Sequence, residues 1–159
     1  MRVFLSLILF GFLTAGPVLA DSVAPREGWQ VVSTAKSYDT LVEDLTAAIK
    51  DEKMFLVTQA SASAGAKGRG VIIPGNRVIG VYRNDYAVRM LDASVTAGIE
   101  APIRFYVTEN SDGTATLSWK TPSFVFSPYL DEGGDALADL AVELDGVFQT
   151  IADKAVASQ

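Results

Sequence analysis

Ile103-Arg104-Phe105-Tyr106-Val107-Thr108, Asn110-Ser111-Asp112-Gly113 and Thr114-Ala115-Thr116-Leu117-Ser118-Trp119-Lys120 together form the stretch on which the fold turns. Apolar and polar residues alternate through both outer runs, and a period of two belongs to a strand with one face buried. The central Asp-Gly is a hairpin turn signal, because glycine takes the positive φ that a tight turn requires. Alternation then assigns the faces. Ile103, Phe105 and Val107 with Ala115, Leu117 and Trp119 are expected in a core. Arg104, Tyr106 and Thr108 with Thr116, Ser118 and Lys120 are expected on the opposite side.

Downstream of the hairpin, Pro122 and Pro128 bracket Ser123-Phe124-Val125-Phe126-Ser127, read as an aromatic-rich loop that covers an apolar surface or is itself covered. A long helix follows from about Gly134 to Val156, with Leu137, Leu140, Ala141, Leu144, Val147, Phe148 and Ile151 in one stripe. Upstream, Val78-Ile79-Gly80-Val81-Tyr82 is apolar throughout, as in a strand covered on both sides. Pro74-Gly75-Asn76 turns the chain into it from an extended Val71-Ile72-Ile73, and Asn84 is placed to cap a short helix over residues 85–94. Trp29–Thr34 and Phe55–Gln59 have strand composition. Between them Ser37 can cap a helix whose Leu41, Val42, Leu45, Ala48 and Ile49 share a face. Residues 60–70 are small and glycine-rich, suited to a loop or a single helical turn.

The resulting order, β-α-β-β-α-β-β-α, departs from the strict alternation of parallel folds. It indicates an α+β architecture, a mostly antiparallel sheet with helices packed on one face.

The chain has 159 residues, 13 Lys and Arg against 19 Asp and Glu, and neither His nor Cys. Ser-His-Asp and Cys-His catalysis, disulfides and the usual zinc sites are therefore excluded. A formal charge of −6 opposes binding to nucleic acid. Residues 1–20 open with Met1-Arg2, continue as an apolar run and end Gly16-Pro17-Val18-Leu19-Ala20, the pattern of a signal peptide cut after Ala20. The apolar run is shorter than the ~20 residues that cross a bilayer, so no stable membrane insertion is expected after cleavage. Removing it leaves a short leader, residues 21–28, and one domain over residues 29–156, periplasmic or secreted and folded without disulfides.

The segments Val78-Ile79-Gly80-Val81-Tyr82-Arg83-Asn84, Ala97-Gly98-Ile99-Glu100-Ala101-Pro102-Ile103-Arg104, Asp112-Gly113 and Thr121-Pro122-Ser123 together resemble a bacterial domain-of-unknown-function family, number 302. The resemblance covers nearly the whole mature chain. It implies an α+β fold with a curved sheet, often dimeric, and it implies no established activity. The chain departs from the family pattern in having Asp85 where a proline is usual. Many members carry a histidine after the second strand; here the segment is Gln59-Ala60-Ser61-Ala62-Ser63, and no role of that histidine transfers.

Several constellations invite a chemical reading. Gly65-Ala66-Lys67-Gly68-Arg69-Gly70 offers amides and two cations to an anion, but lacks the Gly-Lys-Ser/Thr ending and following helix of a phosphate loop. Arg83 and Arg89 beside a helix start have the fork geometry for a carboxylate or phosphate. Asp131, Glu132, Asp135 and Asp139 lack the spacing of a calcium loop and suit a helix N-terminus instead, so no metal is expected. The face carrying Arg104, Tyr106, Thr116, Ser118 and Lys120, with Phe124 and Phe126 of the nearby loop, is the leading candidate for ligand contact. The expectation is a non-enzymatic module binding a small or apolar molecule or a partner protein there, without a cofactor. The alternatives are a structural homodimer, or an enzyme restricted to Arg, Tyr, Ser and carboxylate chemistry. The enzyme is the poorer reading, because no side chain present ordinarily titrates near neutrality.

Overall fold

A computed structural model describes residues 23–157; the expected signal peptide and its cut lie outside them. Five strands, β1 (Trp29–Ser37), β2 (Phe55–Ala60), β3 (Asn76–Tyr82), β4 (Ile103–Glu109) and β5 (Thr114–Lys120), form one antiparallel sheet in the order β1-β5-β4-β3-β2. The hairpin has the register that its alternation requires, with Phe105 opposite Trp119 and Val107 opposite Leu117. Gly113 takes a φ of 82°, and the Asp112 carboxylate closes the turn by accepting from the Thr114 amide at 2.9 Å and hydroxyl at 2.6 Å.

Two helices cover the inner face, α1 (Tyr38–Asp51) and the long C-terminal helix, while a shorter helix, Asn84–Ala93, packs against the long one. Helix α1 starts as its sequence dictates, with the Ser37 hydroxyl accepting from the Thr40 amide, and it buries Leu41, Val42, Leu45, Ala48 and Ile49. On the long helix Leu137, Leu140, Ala141, Leu144, Phe148 and Ile151 are buried as expected, while Val147 is only partly covered. At the centre Phe105 stacks on Phe148 with ring centroids 4.7 Å apart and meets Trp119 at 5.5 Å.

Residues 62–67 form a short helix, α2, capped by the Ser61 hydroxyl, within the stretch read as a loop or single helical turn, and Val71–Ile73 belong to no strand. The structure departs from the sequence reading in three places. Arg83, not Asn84, is the N-cap of α3 (Asn84–Ala93); Arg83 holds the extended backbone and its guanidinium grips Asp85 in the first turn. The expected aromatic loop is a helix, α4 (Pro122–Phe126), started by a Thr121 hydroxyl cap and by proline at its first position, where a missing N–H costs nothing. Asp145 anchors α4 to the long helix by accepting from the Ser123 amide and hydroxyl. The last helix, α5, runs Leu130–Val156 but is interrupted at Gly134, whose φ of 53° and ψ of −151° separate a first turn from the long stretch beyond.

Phe105→Ala empties the centre of this core. It is expected to lower unfolding free energy by ~3–5 kcal/mol, seen as a reduced denaturant midpoint at unchanged slope. Exposed Gln30→Ala serves as the control and should stay within ~0.5 kcal/mol.

Candidate functional site

The strand pairing orders the outer face in rows, since directly paired residues share a face. One row crosses all five strands: Val31, Ser118, Tyr106, Val78 and Ala60. Toward one end of the sheet, Trp29 faces Lys120 and Arg104 faces Gly80. Toward the other end lie Ser33, Thr116, Thr108 and Asn76. A cleft of about 480 Å³ opens over these rows, lined by Trp29, Val78, Arg104, Tyr106 and Lys120, with Asn76, Ala60 and Ala62 at one end and Glu100 and Val125 at the other.

Ser118 and Thr116 are on the expected face but fully buried; neither lines the cleft and both are closed to a ligand. Their hydroxyls are turned to the chain itself, Ser118 to the Tyr106 carbonyl at 3.5 Å and Thr116 to the Asn110 side-chain oxygen at 3.0 Å. Phe126 also differs from expectation. It is 1% exposed and belongs to the core under α4. Phe124 is exposed but packs against the backbone of Gly28, where an added Cβ would sit 2.0 Å from its ring; Val125 is the residue of α4 that reaches the cleft. Thus Arg104, Tyr106 and Lys120 are brought together, while Phe124, Phe126, Thr116 and Ser118 support from around or beneath. Trp29 and Val78 were missed as site residues, because only the order and register of distant strands place them there.

The cations of the cleft border aromatic surface. Lys120 Nζ lies 5.8 Å from the Trp29 ring centroid and the Arg26 guanidinium 5.3 Å from it. Among the described residues, neither these two nor Arg104 has a carboxylate partner. Glu100, the one acid lining the cleft, accepts the Tyr129 hydroxyl at 2.7 Å, and this bond holds the Tyr129 phenol above its ordinary pKa.

Arg83 and Arg89 are arranged otherwise. Arg83 donates twice to Asp85, at 2.7 and 2.9 Å, and lies 3.9 Å over the Tyr86 ring; Arg89 pairs with Glu143 at 2.8 Å. The hydrogen bond from Arg83 holds Asp85 below its ordinary pKa, and that from Arg89 does the same for Glu143. Lys67 and Arg69 are exposed, on α2 and just after it, and no ion pair or ring contact joins them to Arg83 and Arg89 among the described residues. Among the described residues no group of three or more His, Cys, Asp or Glu side chains is placed to hold a metal, and no helix is long and apolar enough to cross a membrane.

An open antiparallel sheet, helices on one side and a cleft on the other, defines a small α+β module. The domain-of-unknown-function family DUF302 matches residues 29–153, and the chain belongs to that family. Its fold is similar to the crystal structure of an uncharacterized conserved DUF302 protein from Bacillus stearothermophilus, with a TM-score of 0.71 at 18% identity, covering 81% of this chain and 98% of that one. No curated protein matches the chain.

The Arg89–Glu143 pair makes a pH-dependent contribution whose sign is fixed. A carboxylate with a folded pKa below its unfolded value adds stability above the unfolded value, and this is lost as pH falls through the folded one. Stability is therefore expected to drop below about pH 4, the ordinary Glu range, and Glu143→Gln should narrow the gap between urea midpoints at neutral and acid pH. Both side chains are about half exposed, so the narrowing is small. An unchanged gap would show that the pair contributes nothing.

Proposed function

We propose that the chain is an exported, non-enzymatic binding module that holds a small molecule with an apolar body in the cleft over its outer sheet face. One observation carries the reading: a cleft of about 480 Å³ walled by Trp29, Val78 and Tyr106. Ligand sites commonly span ~300–1,000 Å³, with mainly apolar and aromatic walls and a few polar groups. Catalysis is disfavoured by the groups available. Proton transfer needs a side chain poised near the working pH, the chain has no imidazole or thiol, and the carboxylate in the cleft holds a tyrosine hydroxyl.

Protein recovered from a periplasmic fraction, with its chain starting at Asp21, is expected to show a retained small mass by native mass spectrometry. Tyr106→Ala should release that mass with the fold intact, and equal retention by the variant would remove the cleft from consideration.

A second reading has its own support. Strand β2 is a sheet edge, its sequence Phe55-Leu56-Val57-Thr58-Gln59-Ala60 carries no charge, and Phe55 and Val57 are 64% and 48% exposed. Edge strands are ordinarily blunted by charge or proline. A homodimer joined along β2 would appear as a doubled mass, and Phe55→Lys is expected to return it to the monomer.

A further inference from the structure

We propose that the ligand of the cleft is an organic anion, a flat apolar body bearing a carboxylate or similar acid group at one edge; this inference rests on the cleft reading and specifies its chemistry. The chain as a whole is acidic, yet the cleft is lined by two cations, Arg104 and Lys120, against one acid, Glu100, with Arg26 nearby against the Trp29 ring. Glu100 is occupied by the Tyr129 hydroxyl. On the helix side Lys36, Arg89 and Lys154 each meet an Asp or Glu oxygen within 2.8 Å, while Lys50 and Lys53, like the cleft cations, form no ion pair among the described residues. At the cleft the cations border aromatic surface instead. Lys120 faces Trp29 directly, and Arg104 projects from β4 opposite Gly80, where the neighbouring strand offers no side chain.

These groups fit together as one recognition device. The Trp29 and Tyr106 side chains with Val78 offer apolar and aromatic surface to a planar body. A guanidinium donates a parallel pair of hydrogen bonds that matches a carboxylate, and a lysine adds a point charge. A neutral ligand would leave both cations unused, and a cationic one would be repelled by them. The rest of the lining adds no competing charge, since Ala60, Ala62, Asn76, Val78 and Val125 are uncharged.

The test uses two fluorescent probes of the same body that differ by one acid group, N-phenyl-1-naphthylamine and 1-anilinonaphthalene-8-sulfonate, titrated into the mature chain at low ionic strength and again in high salt. The anionic probe is expected to bind about ten-fold more tightly than the neutral one, a difference of ~1.4 kcal/mol, and to lose much of that advantage in salt. Arg104→Gln combined with Lys120→Gln should abolish the advantage and leave the neutral probe's affinity in place. Both substitutions are at exposed positions, and an unchanged denaturant midpoint confirms the fold. If both probes bind equally and both are weakened by Tyr106→Ala, the anion is overturned while the cleft stands. If neither binds, or Tyr106→Ala changes nothing, the cleft and the anion fall together.

Discussion

The stacking of Phe105 on Phe148, with Trp119 against the same ring, fixes which side of the sheet is inside. All three side chains are essentially inaccessible to water. A slip of one residue in β4 or β5 would turn these rings outward and bring Tyr106 and Ser118 into the core, so the aromatic contact and the strand register enforce each other. The outer face is a consequence of that choice. Once the large apolar side chains are committed to the helices, the small and polar ones of β5 are left on the other side, where the cleft opens beside Tyr106.

Charge is distributed to match this division. Around the helices, ion pairs tie elements to one another. Lys36 binds Asp44 at 2.6 Å and the Ala155 carbonyl at 2.9 Å, joining β1 to α1 and α5, and Arg89 joins α3 to α5 through Glu143. Such pairs position the elements more than they stabilise them, because partly exposed charges gain little in water. At the cleft the cations have no such duty. In a chain of net negative charge, Arg104 and Lys120 line the cleft beside aromatic surface with no ion-pair partner among the described residues.

Much of the architecture was legible because it is written in local periods. The alternation of residues 103–120 gave the hairpin and both its faces, the Ser37 cap and the α1 stripe gave the first helix, and the apolar spacing of residues 137–151 gave the last. Less visible were features in which two local signals compete. Thr121-Pro122 is a helix start as well as a break, and the aromatics that follow resemble a loop until Asp145 captures Ser123. Asn84 is a good cap in isolation, yet the Arg83–Asp85 pair draws the helix boundary one residue earlier.

Sequence alone determined the absence of imidazole and thiol chemistry, the excess of acid, the α+β pattern and the presence of Arg104, Tyr106 and Lys120 on one side of a hairpin. Tertiary structure decided what surrounds them. The order β1-β5-β4-β3-β2 sets Trp29 across from Lys120 and Val78 across from Tyr106, although 91 and 28 residues of chain numbering separate these pairs. It also buries Phe126 and Ser118, which their positions in an expected loop and on an expected outer face offered to a ligand. The reason is physical: a strand's period is set by its own backbone, whereas its neighbours are chosen by the burial of apolar surface across the whole chain.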